Sequence, residues 1–188
     1  MAKALLIIDF QNDFTSGGAL AVPEGDEIAE PVKRLADRFD VVVATRDWHP
    51  PDHASFETEG GPWPIHCVQG TPGAEFHPAM ADVDLDAVVD VGRGRDDEGY
   101  SGFENSDLAQ ILRAHDVDEV YVCGLATDYC VRASAIDARG EGFEVTVVED
   151  AIRGVEVNEG DSARALQEMR DAGSRIASSD EVLAAARK

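Results

Sequence analysis

The sequence predicts a doubly wound α/β domain, and two observations predict it. Short β-branched runs are too apolar to have one face in water, and amphipathic stretches alternate with them along the chain. The first strand, Ala4–Ile8, is uninterrupted apolar sequence, as expected of a strand covered on both faces in a parallel sheet. A helix follows over Asp26–Arg38, with Ile28, Val32, Leu35 and Ala36 on one face and charges opposite. Further strands are expected at Val41–Thr45, Ala87–Val91, Glu119–Cys123, Glu144–Val148 and Arg175–Ala177. Further helices are expected over Ser106–His115, Asp128–Arg139, Gly160–Ala172 and Asp180–Arg187. No repeat, low-complexity tract or linker interrupts the 188 residues, which suit one domain over residues 1–188. Two stretches, Asp47–Met80 and Gly92–Phe103, fit no element. Each follows a strand, so both are expected at the carboxyl edge of the sheet, where such folds bind ligands.

Composition excludes several functions. Sixteen basic residues against thirty-eight acidic ones give a net charge of −22, and the only lysines are Lys3, Lys33 and Lys188. Nucleic acid and anionic lipid are bound by clustered cations, so neither is an expected partner. The acids are spread along the chain, which suits a hydrated surface in a salty cytoplasm better than a docking patch for a cationic partner. The expectation is a fold that needs molar salt. The longest apolar runs are far too short to span a bilayer, and the N-terminus lacks the pattern of a secretory signal. The three cysteines, Cys67, Cys123 and Cys130, form no CxxC motif and leave an odd thiol under any pairing. A reducing cytosol is the expected compartment.

Polar residues stand at four successive strand ends: Asp9 after the first, Asp47 and His49 after the second, Arg93 after the third, and Gly124 to Cys130 after the fourth. A parallel sheet gathers all of these at one edge. Any one of them alone reads as a turn or cap residue; the coincidence points to a site. Cys130 is expected in the first turn of a helix capped by Thr127 or Asp128, where unpaired amides and the helix dipole favour a thiolate and suit an oxyanion. Position alone leaves open that it is a small buried residue, the reading preferred for Cys123 and Cys67.

Asp47 and His49, with His53 and His66 downstream, offer carboxylate oxygen and imidazole nitrogen suited to Zn²⁺, Mn²⁺ or Fe²⁺. The alternative is a set of polar loop residues bonded to backbone carbonyls. Trp48, Phe56 and Trp63 lie among them, either walling a ring-shaped pocket or packing the loop.

These residues fall in segments that resemble a known family. Ile7-Ile8-Asp9-Phe10-Gln11-Asn12-Asp13-Phe14 with Gly17-Gly18-Ala19-Leu20, Ala44-Thr45-Arg46-Asp47-Trp48-His49-Pro50, Trp63-Pro64-Ile65-His66-Cys67-Val68, Tyr100-Ser101-Gly102-Phe103 and Cys123 to Arg132 stand in the order found in nicotinamidases of the isochorismatase-like cysteine hydrolase superfamily. The resemblance covers about residues 3–177. It implies a six-stranded parallel sheet with helices on both faces. It also implies hydrolysis of nicotinamide to nicotinate and ammonia through a Cys130 thioester, as a step of NAD salvage. Asp9 matches the acid–base residue, and the amides of Ala126 and Cys130 match the oxyanion hole. The Leu125–Ala126 bond matches a cis peptide. Asp47, His49 and His66 match ligands to one divalent metal ion, zinc first and iron or manganese next, with His53 a ligand in some relatives only. Phe14, Trp63 and Tyr100 match the walls around the substrate ring, beside Leu125 and Ala126. Self-association is common in the family, so a homo-oligomer is an open expectation.

One departure stands out. The family has a catalytic lysine before Tyr-Ser-Gly-Phe, whereas this chain has no lysine between Lys33 and Lys188. Arg93 is its natural replacement, with Arg95 second. Arginine supplies fixed positive charge but is bulkier, planar and unable to give up its proton. Two other readings follow: a relative acting on another small amide or carbamoyl compound, or a non-catalytic metal and ligand binder.

Overall fold

The computed structural model describes residues 2–185. Its centre is one six-stranded, all-parallel sheet of β1 (Ala2–Ile8), β2 (Val41–Asp47), β3 (Ala87–Val91), β4 (Val117–Leu125), β5 (Glu144–Arg153) and β6 (Arg175–Ala177). The strand order is β3-β2-β1-β4-β5-β6. β1 lies between β2 and β4, where the winding reverses, so its carboxyl end opens onto the crevice in which doubly wound sheets bind ligands.

The apolar run of β1 is buried on both faces. Ala4, Leu6 and Ile8 join one core cluster and Leu5 and Ile7 the other, following the two-residue period of a strand. Helices α2 (Leu108–Ala114), α3 (Arg132–Gly140) and α4 (Asp161–Asp171) cover the first face through Leu108, Leu112, Ala135, Ala138 and Met169. Helices α1 (Ala29–Ala36) and α5 (Ser179–Ala185) cover the second through Val32, Leu35, Val182 and Leu183.

All six strands and five helices stand where the sequence places them, with shifted ends. The helix expected from Asp26 begins as a tighter turn over Gly25–Ile28 and becomes α1 at Ala29, two residues before Pro31, whose missing N–H costs nothing in a first turn. β5 runs five residues past its predicted end at Val148. Glu149 and Asp150 hide that continuation, because Asp150 is engaged by Ser179 N and Oγ at the start of α5. The predicted end of α5 at Arg187 lies outside the described residues. Among the described residues no helix is long and apolar enough to cross a membrane.

β4 ends at a close approach. Gly124 adopts φ +114°, and a Cβ there would lie 2.0 Å from Ile8 O. Only glycine lets β4 run this near β1, which sets the Cys130 segment beside Asp9.

Candidate active site

The carboxyl ends of β1, β2 and β4 bring Asp9, Asp47 and Cys130 together. One carboxylate oxygen of Asp9, one of Asp47 and the Cys130 Sγ all lie within 4.8 Å of one another, and all three residues are buried. Asp9 follows β1 with φ +44°, a left-handed conformation that aspartate tolerates better than most residues. Thr45 Oγ1 donates to Asp9 Oδ1 at 2.7 Å. Burial and the neighbouring Asp47 charge raise the Asp9 carboxyl well above its usual range, against the Thr45 hydrogen bond.

Cys130 does not sit in an ordinary capped helix start. Thr127–Val131 form a wide π-type turn that runs into α3, with Ala126 at the cap position and no side-chain cap. Asp128, expected as a possible cap, instead accepts from Val155 N and Glu156 N, each at 2.9 Å, and ties this turn to the segment after β5. The expectation of a resting thiolate is corrected as well. Burial and the charges of Asp9 and Asp47 push the Cys130 thiol well above its ordinary value. A proton is therefore held within the Asp9–Cys130 pair. Cys67 and Cys123 are also buried, and burial raises both thiols, which suits inert packing residues.

The loop after β2 carries a second group. Asp47, His49 and His66 offer ligand atoms within 4.8 Å of one another, all buried. His49 Nδ1 lies 2.9 Å from Gly92 O, and His66 Nδ1 lies 2.8 Å from Pro64 O. A carbonyl only accepts, so both Nδ1 atoms carry hydrogen, and both Nε2 atoms face Asp47 Oδ2, at 3.2 and 3.7 Å, where they donate when protonated and offer a lone pair to a metal when neutral. Asp47 Oδ1 is buried without a partner. Burial alone would raise Asp47, but His49 and His66 outweigh it and hold the carboxyl at about 2. Two oriented imidazole nitrogens and an orphaned carboxylate oxygen fit a divalent transition metal ion.

His53 is not brought into this group. Its Nε2 meets Asp97 O at 2.9 Å and its Nδ1 meets Ser55 Oγ at 2.7 Å, which occupies both ring nitrogens. The ring stacks on His49 with centroids 3.9 Å apart.

Arg93 is not brought to the site either. Its side chain is exposed, and Nη2 donates to Asn105 O at 3.2 Å. Gly92 turns with φ +63° against the His49 ring, and the chain leaves β3 with residue 93 facing solvent. Arg95 is also at the surface, paired with Asp52, Glu59 and Asp96.

A pocket opens over both groups, lined by Phe14, Trp63, Tyr100 and Ala126 as well as Asp47, His66 and Cys130. Trp63 Nε1 donates to Tyr100 OH at 3.0 Å, and both rings pack on Tyr129. Leu125 is fully buried beneath, and the Leu125–Ala126 peptide is cis.

A sequence profile of the isochorismatase domain matches residues 3–181. The chain belongs to the isochorismatase family. Its relatives include the nicotinamidase of Escherichia coli strain K12, 40% identical over 199 residues covering 93% of each chain. Among solved structures, a pyrazinamidase of Pyrococcus horikoshii in complex with zinc is 49% identical, with a TM-score of 0.87 over 95% of this chain and 99% of that one. PnC1 from L. infantum in complex with nicotinate is 37% identical, with a TM-score of 0.91 over 95% of this chain and 93% of that one.

Within this isochorismatase-family site, sequence reasoning gave no role to several residues that build it. Gln11 is fully buried: its Nε2 donates to Asp47 O at 2.9 Å and Ala74 O at 2.8 Å, and its Oε1 accepts from Asp47 N at 2.9 Å. Asp13 accepts from Cys67 N at 2.7 Å and so holds the segment carrying His66. Leu20, Tyr129 and Val155 complete the pocket wall. Gln11 and Asp13 lie in the polar run straight after β1, and polar residues packed against an apolar strand end are the signal that would have found them.

Proposed function

We propose that this chain is a nicotinamidase, hydrolysing nicotinamide to nicotinate and ammonia as a step of NAD salvage, with Cys130 as nucleophile. The observation that carries this reading is one pocket shared by a buried thiol–carboxyl pair, a three-ligand metal group and aromatic walls. The relatives named nicotinamidase or solved with nicotinate support the substrate.

Asp9 takes the Cys130 proton as sulfur attacks the amide carbonyl carbon, and its raised affinity for protons makes it a competent base. The oxyanion is met by the backbone amides of Ala126 and Cys130. Asp9 returns the proton to the nitrogen, the C–N bond breaks and ammonia leaves a nicotinoyl thioester on Cys130. Water then attacks, Asp9 takes one of its protons and passes it to the sulfur as the C–S bond breaks, and the acid so released loses its remaining proton to ammonia or solvent to give nicotinate. Asp47, His49 and His66 would hold the metal, and zinc is our choice because two of the three ligands would be imidazoles and a relative is solved with it. When bound, it supplies a Lewis-acid site for the pyridine nitrogen. Phe14, Trp63 and Tyr100 clasp the ring. Arg93 has no part in this scheme. The three free thiols fit a reducing cytosol.

Comparing ammonia release from nicotinamide and from benzamide, which lacks the ring nitrogen, tests the reading. Metal-loaded protein in molar salt is expected to turn over nicotinamide and to leave benzamide nearly untouched. No release from nicotinamide overturns the substrate; equal rates overturn the role given to the metal.

A further inference from the structure

Thr45 carries the one hydroxyl of β2, at the end of the apolar run Val41–Ala44, and is 1% exposed. A hydroxyl so placed has to use its proton and a lone pair inside the fold. Thr45 Oγ1 donates to Asp9 Oδ1 at 2.7 Å and accepts from Asp9 N at 3.2 Å, so both of its bonds go to one residue. Asp9 N also reaches Thr45 O at 3.2 Å. The side-chain conformation that makes these bonds is held twice. Branching at Cβ stiffens χ1. The methyl group sits where Gly102 leaves room, since a Cβ at Gly102 would lie 2.9 Å from Thr45 Cγ2.

This grip makes the two oxygens of Asp9 unlike. Oδ1 accepts the Thr45 proton, which has no other acceptor among the described residues, so Oδ1 is not free to carry a proton of its own. Asp9 also hydrogen-bonds the Cys130 thiol, and Oδ2 has no other partner. Oδ2 is the oxygen left to meet the sulfur.

We propose that Thr45 is a positioning residue for the thiol chemistry: by occupying Oδ1 it aims Asp9 Oδ2 at Cys130 Sγ and makes Oδ2 the single atom through which the proton passes. The proton leaves Sγ for Oδ2 as the S–C bond forms, then passes from Oδ2 to the departing nitrogen as the C–N bond breaks. Oδ1 keeps its bond to Thr45 throughout. The effect on turnover rests on the nicotinamidase reading, whereas the hold on the Asp9–Cys130 pair does not.

Two measurements test this. Thr45→Val keeps the shape of the side chain and removes the hydroxyl, Thr45→Ser keeps the hydroxyl, and Thr45→Ala stands in should valine not fold. With metal content and circular dichroism unchanged, Thr45→Val is expected to lower kcat for ammonia release from nicotinamide about ten- to a hundredfold, the cost of a misaimed catalytic group. KM is expected to stay within about twofold, because ring and metal contacts are untouched. Thr45→Ser is expected to keep at least about a third of the rate. A threonine that only filled space would be replaced by valine at no cost, so an unchanged kcat overturns the proposal, as does an equal loss in Thr45→Ser. Alkylation of Cys130 by iodoacetamide, counted at its peptide by mass spectrometry, needs no nicotinamide: the S–C bond forms, iodide leaves and the thiol proton passes to Oδ2. It is expected to be about tenfold slower in Thr45→Val and near the unaltered rate in Thr45→Ser. Equal or faster alkylation in Thr45→Val overturns the positioning role. Slowed alkylation, when the unaltered chain releases no ammonia, would remove the nicotinamidase reading and leave the hold of Thr45 on the pair standing.

Discussion

His49 Nδ1 donates to Gly92 O at 2.9 Å, and this contact between two loops fixes which nitrogen of His49 faces Asp47. Gly92 can do this only as glycine: a Cβ at its φ of +63° would lie 2.5 Å from His49 Cε1. Gly92→Ala is therefore expected to displace the ring and weaken metal binding about 10–100-fold, the range for lost outer-shell support. Competition with a chromophoric chelator measures it. Unchanged affinity would show that the ring has another anchor.

Asp47 joins both groups of the site, so Asp47→Asn is expected to weaken metal retention and activity together. Metal analysis after gel filtration, alongside ammonia release, checks this. Full metal content in the variant would mean that the histidines suffice.

The pH dependence of metal-stripped protein follows from three shifts. Asp47 is held at about 2 in the fold, against about 3.9 unfolded. Its contribution is present above the unfolded value and lost as pH falls toward 2. His49 is raised despite its burial, because Asp47 outweighs desolvation. Its contribution is complete below about 6.5 and is lost as pH rises through the raised value. Asp9, raised mainly by burial, binds its proton more tightly in the fold, which also costs stability as pH rises above about 3.9. Stripped protein is thus expected to melt lower at about pH 8 than at about pH 5.5. Metal, which binds neutral imidazole, is expected to raise the Tm more at the higher pH. The metal-loaded minus stripped difference isolates the site from the general self-repulsion of a chain with net charge −22. A difference independent of pH would contradict these assignments.

Much of this architecture was legible in the sequence, because strands buried on both faces must be apolar throughout. Leu5, Leu6, Ile7 and Ile8 announce β1, and polar residues immediately after such runs mark the site edge. Asp9, Asp47, His49 and Cys130 stand out in this way and His66 as a histidine downstream of them, and the structure brings the five together. The direction of a side chain leaving a loop was not legible. Arg93 and His53 have suitable chemistry at suitable spacing, yet Arg93 turns to solvent and His53 spends both nitrogens on Ser55 and Asp97. The ionisation of Cys130 was also hidden, since it depends on burial and on carboxylates distant in sequence.

Arg93→Ala should change kcat/KM by no more than about twofold, as for a surface residue bonded only to a carbonyl. A much larger loss, with the fold intact by circular dichroism, would place its guanidinium in the working site after all.

The acidic surface predicts a salt requirement. Thermal melts across a salt series should show the Tm falling steeply toward dilute buffer, as screening of the net charge of −22 is withdrawn. A Tm insensitive to salt would remove that reading of the composition.

Ammonia release from nicotinamide by metal-loaded protein in molar salt, with Cys130→Ala assayed beside it, tests the central claim most directly. Release by the unaltered chain that vanishes in the variant, with metal content and fold unchanged, is the predicted result. Release that survives the loss of the Cys130 sulfur would contradict the account.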